Sequence, residues 1–161
     1  MNSIIRSIHD HLIQEGLVVH PIGDAEGIVV HMTLKHLRLA VSFLTPEDQD
    51  YLRIDALLPV PVPVDRRAAV ADFLTRVNWN MNLGRFVMDF TDGELRFRQE
   101  LESGEETVDV KRAEMGLLRV CHMVDAFFPA LMGVIFRETP PEEALAQGEK
   151  DLDALAKDEE E

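Results

Sequence analysis

The stretch RFVMDFTDGELRFRQE, Arg85 to Glu100, alternates apolar and charged side chains on either side of Asp92-Gly93. An Asp-Gly pair between two alternating runs predicts a hairpin with a two-residue primed turn, which needs positive φ at both positions. Residues whose numbers sum to 185 then face each other. Phe90 meets Leu95 and Met88 meets Phe97 on one face, while Asp89 meets Arg96 and Arg85 meets Glu100 on the other. Each cross-strand pair contributes only about 0.2–1 kcal/mol, so the register is set mainly by which face is buried. Turn, apolar face and charged face select the same pairing, and an antiparallel sheet with one buried face becomes the organising element.

Working outward, the same period of two recurs upstream. Leu37, Leu39, Val41 and Phe43 alternate with His36, Arg38, Ala40 and Ser42, and Leu52, Ile54 and Ala56 alternate with Arg53 and Asp55. Thr45-Pro46-Glu47-Asp48 supplies a turn between those strands. Ile28 to Leu34 reads as a further strand, but its link to the next, Lys35-His36, holds no residue suited to a tight turn, so two strands and one long bent strand both fit. Prolines 59, 61 and 63 remove ladder donors and end the sheet.

Helical periods flank these strands. Ser3 can cap a first helix with Ile4, Ile5, Ile8, Leu12 and Ile13 on one face, ended by Gly16. Asp65 can cap a second, with Val70, Phe73, Leu74 and Val77 at helical spacing, ended in Asn78 to Gly84. A third starts near Asp109 and carries the stripe Leu117, Cys121, Val124, Phe128, Leu131 and Ile135, with Pro129 expected to kink or interrupt it. The predicted order is α-β-β-β-α-β-β-α: an α+β single domain with an antiparallel sheet packed against helices.

Past Asp125 the third helix is apolar on every side, so it needs cover on more than one side. One sheet supplies one side. The first helix, a second subunit or a bound partner must supply the rest, and Phe127, Phe128, Leu131, Met132, Ile135 and Phe136 form the candidate partner or dimer surface.

The 161 residues include 30 acids against 16 basic residues, a formal charge of −14. Such an exterior argues against nucleic-acid and anionic-membrane partners. The one cysteine makes no internal disulfide, which fits a cytoplasmic protein. The N-terminus lacks the unbroken apolar run of a signal peptide. The longest uncharged apolar run, Ala126 to Phe136, has eleven residues, short of the roughly 20 needed to span a bilayer. Half of the net charge lies in residues 140–161, with nine acids and two lysines. They divide the chain into a domain over 1–139 and an acidic C-terminal extension over 140–161, read as a short helix from Glu142 and then a frayed tail.

A search for chemistry nominates no catalytic, cofactor or metal residue. His9 and His11 point to different faces of a helix, and no His-Glu-x-x-His, repeated Cys-x-x-Cys or calcium-loop pattern is present. Cys121 and His122 are adjacent on a helix, about 100° apart, and cannot address each other directly. Phe86, Phe90 and Phe97 share the buried hairpin face, so the sheet offers no stacking platform for RNA.

Residues 65–137 resemble the YbjN family. The likeness rests on Phe73-Leu74-Thr75-Arg76-Val77-Asn78, Leu83-Gly84-Arg85-Phe86, Asp92 to Arg98 and Val124 to Leu131, with Pro141 to Leu145 trailing. The family's fold resembles the small chaperones of type III secretion. The resemblance implies the element order derived above. Type III chaperones are commonly homodimers that hold a partner segment on apolar patches. YbjN-like proteins are labelled regulators without a settled biochemical activity, so the chaperone function does not follow from the fold. The excess apolar surface of the third helix, the acidic exterior and the family fold together lead to one expectation: a non-enzymatic, chaperone-like homodimer that captures a segment of a partner protein on an apolar surface. The alternative is a regulatory or scaffolding protein that meets its partner through the acidic tail.

Overall fold

The computed structural model describes residues 2–23, 27–46, 51–102, 108–158 and 160. Among them the order is α1 (Ser3–Gln14), β1 (Val19–Ile22), β2 (Gly27–Thr33), β3 (Arg38–Leu44), β4 (Tyr51–Leu57), a 3-10 turn (Val64–Arg66), α2 (Arg67–Trp79), β5 (Arg85–Met88), β6 (Leu95–Glu102), α3 (Val110–Phe136) and α4 (Pro141–Asp158). The strands form one sheet in the order β1-β2-β3-β4-β6-β5, every neighbouring pair antiparallel. The expected α+β domain with an antiparallel sheet packed against helices is the fold observed, with one further strand and one further helix. The turn expected at residues 45–48 lies partly outside the described residues.

One face of the sheet is the core. Ile28, Val30, Leu39, Val41, Phe43, Ile54, Ala56, Leu95 and Phe97 are buried on it, with Ile5, Ile8 and Leu12 of α1 and Val70, Phe73 and Val77 of α2 in the same cluster. The opposite face carries an arginine–carboxylate grid. Asp55, only 3% exposed, accepts from Arg96 at 2.9 Å and from Arg98 at 3.2 Å, while Arg85 forms a bidentate pair with Glu100 at 2.8 and 3.1 Å.

The hairpin register differs from its expectation by two residues. Met88 faces Leu95 and Phe86 faces Phe97, so paired numbers sum to 183. Only Gly93 has positive φ, at 78°, so Asp92 does not adopt primed-turn geometry. The loop is instead four residues long: Asp89 N donates to Glu94 O at 2.9 Å and Gly93 N donates to Asp89 O at 2.7 Å. A shift of two keeps every side chain on its face, so the Arg85–Glu100 pair survives as a diagonal contact. Phe90 moves into the loop and is exposed rather than buried, and Arg96 turns from Asp89 to Asp55 and Glu94.

Both sheet edges are guarded. Pro21 sits in edge strand β1 and offers no donor to an added strand. On the other edge, Asn78 at the end of α2 mimics a strand: its amide donates to Phe86 O and accepts from Phe86 N, both at 2.9 Å. Two helix caps also differ from expectation. Asn2, not Ser3, caps α1 by accepting from Ile5 N at 3.0 Å, and Asp65 lies in the 3-10 turn ahead of α2 instead of capping it.

α3 begins as expected, its Asp109 cap accepting from Arg112 N at 2.7 Å, and it runs 27 residues through Pro129 without interruption. By length and composition it could cross a membrane, but most of its apolar stretch is buried within the fold. Part of its cover is α4. The extension expected to be a short helix and a frayed tail is an 18-residue helix packed on α3 and α2, with Ala144 and Gly148 buried. Gly148 accommodates Phe127: any Cβ there would strike the ring.

Candidate functional site

A cleft of about 540 Å³ opens where the middle of α3, the β2–β3 turn and the C-terminal end of α4 meet. Met32, Leu34, Leu118 and Leu155 give it apolar walls, Cys121 lies in its floor, and Arg119, His122 and Asp125 are its polar members. Helical spacing puts Leu118, His122 and Asp125 along one side of α3. Leu118 is 60% exposed, an unusual position for a leucine beside other apolar groups.

Asp125 builds the cleft. Its carboxylate accepts from Lys35 N at 3.2 Å and from His36 N at 2.9 Å, and His36 Nδ1 lies 3.1 Å from the same carboxylate. Leu34 N donates to Leu37 O at 2.9 Å, closing the tight turn between β2 and β3. Lys35 and His36 have ordinary negative φ, so the turn lacks the glycine or asparagine that usually makes such a link. α3 supplies the missing acceptor from 89 and 90 residues away. The signal for this was present in the sequence as a gap: a turn without turn chemistry has donors that must be satisfied elsewhere.

The cleft is poor in reactive groups. Burial, then the nearby Asp125 charge, push the Cys121 thiol up to about 12, so it is protonated at neutral pH and is no nucleophile. His36 and Asp125 form a pair that sequence spacing could not show, but the carboxylate is committed to the turn. Among the described residues no group of three or more histidine, cysteine or acidic side chains could hold a metal ion.

The six residues expected to form a partner or dimer surface separate. Phe127, Leu131 and Ile135 are buried within the chain itself. Phe128 and Met132 are partly buried against the core, and Phe136 is exposed. The cover that α3 needed comes largely from α4, so only part of that surface faces outward. Besides Phe136 at its C-terminal end, α3 exposes Met115 and Leu118 in its N-terminal half.

Residues 6–132 match the model of the YbjN family, described as "Putative bacterial sensory transduction regulator". The chain belongs to the YbjN family. No curated protein matches it. The matched span holds the six strands of the described residues, most of α1, all of α2, the cleft's α3 residues and the Asp125-held turn, and it stops before α4. That description is of a regulator family and not of a known enzyme family.

Proposed function

We propose that this YbjN protein is a non-enzymatic regulator that captures a segment of a partner protein in the cleft lined by Leu118. The observation that carries this reading is the exposed Leu118 beside Met32, Leu34 and Leu155 in an open apolar cleft. Apolar side chains seated there would leave water, and burial of apolar area is the general source of such affinity. Addition of a strand to the sheet is the less favoured route, because Pro21 and Asn78 guard the edges. A pair of copies belongs to the same proposal, with Phe128, Met132 and Phe136 as the apolar residues that the end of α3 offers.

The test is native mass spectrometry of the tagged chain captured from its host, run beside Leu118→Asp. Leu118 is exposed, so this substitution leaves the fold intact. A stoichiometric protein carried by the wild-type chain and lost from the variant is the expected result, with a twofold mass expected for the paired form. A bare chain, or a partner held equally by Leu118→Asp, would overturn the reading.

A further inference from the structure

We propose that the captured segment is apolar with a single carboxylate, which Arg119 holds at the cleft; this rests on the capture reading above. Arg119 lines the cleft, is partly buried, and has no hydrogen-bond or ion-pair partner among the described residues. The acids nearest it in the cleft and along α3 make their contacts with other groups. Asp125 already accepts from two backbone amides and lies against His36. Glu114 lies 3.4 Å from His11, and Lys35, a cation of the neighbouring turn, is 3.6 Å from Asp158. A cation beside apolar walls is partly stripped of water, so an incoming carboxylate gains more there than on an open surface.

The same electrostatics limit the segment to one acid. The chain carries −14, and a run of acids would be repelled beyond the short reach of Arg119. A segment without any acid would cover Arg119 and leave its charge unpaired. Leucine-like residues for the walls and one aspartate or glutamate for Arg119 form the complementary pattern.

The probe is a 12-residue labelled peptide of leucine and serine with one central glutamate, made also with glutamine and with lysine at that position. Binding is read by fluorescence anisotropy. The wild-type chain should bind the glutamate peptide about tenfold more tightly than the glutamine peptide, the effect of one charge-assisted contact. Arg119→Gln should remove that preference, and Arg119→Glu should transfer it to the lysine peptide. Equal binding of the glutamate and glutamine peptides by the wild-type chain overturns the Arg119 assignment while capture at Leu118 stands. Failure of all three peptides, or binding unchanged by Leu118→Asp, overturns the capture reading and this inference with it. If decanoate binds in an Arg119-dependent manner and no peptide does, the occupant is a free amphiphile and the peptide assignment falls.

Discussion

Two turns of the same sheet are built on opposite plans. The β5–β6 loop contains its own chemistry: Gly93 takes positive φ, Asp89 Oδ1 accepts from Thr91 N at 2.8 Å, and Asp92 Oδ1 accepts from Glu94 N at 2.9 Å. The β2–β3 turn has one backbone bond of its own, Leu34 N to Leu37 O, but no positive-φ residue and no turn-forming side chain. Asp125 of α3 accepts its Lys35 and His36 amides from the far side of the sequence. The β5–β6 loop can take its shape locally, with Arg67 and Val62 adding bonds from outside it, whereas the β2–β3 turn gains acceptors for its two central amides only when α3 docks. The second kind joins the hairpin to α3 directly beside the cleft, so fold and site share one carboxylate.

Breaking the distant clamp should have the largest effect. Asp125→Ala leaves two backbone donors without their acceptor and should destabilise the chain by about 3–5 kcal/mol in urea unfolding. Cys121, one helical turn away, reports on the same event. Its thiol is pushed up to about 12 by burial and Asp125, so iodoacetamide at pH 8.5 should label Asp125→Ala faster than wild type. The unfolded thiol ionises first, near 9.0. The stability held by this group is therefore complete below about pH 9 and falls as the pH climbs toward 12. Unchanged stability and labelling in Asp125→Ala would mean that the hairpin needs no help from α3.

Gly93→Ala tests the local turn. A Cβ at Gly93 would collide with the Val62 backbone, and the φ of 78° disfavours any side chain, so a loss of roughly 2–3 kcal/mol is expected. Asp92→Ala removes one exposed turn hydrogen bond and should cost about 0.5–1 kcal/mol. The ordering matters more than the values: if Asp92→Ala proves as damaging as Asp125→Ala, the two turns are not built differently.

Much of the sheet was legible because period-two alternation survives a wrong loop length. The Arg85–Glu100 hairpin keeps its faces although its register moves by two, since Gly93 alone carries the positive φ that Asp92-Gly93 seemed to require. β1 was hidden by Pro21, which reads as a strand breaker and is tolerated only because the strand lies at the edge. The start of α4 near Glu142 was legible, but its full length and its packing were hidden by its charge and by its packing residues. Ala144 and Gly148 carry no hydrophobic signal, yet their small size lets α4 approach Phe127 closely. The cleft joins residues up to 123 positions apart, Met32 and Leu155, and no local pattern links them.

Amide hydrogen exchange on the chain with and without its captured partner addresses partner docking at the cleft most directly. Protection confined to residues 32–37, 115–125 and 152–158 is the expected result, with the acidic outer face of α4 between residues 142 and 151 unchanged. Protection of that acidic face with the cleft still open to exchange would contradict docking at Leu118 and place the partner on the tail.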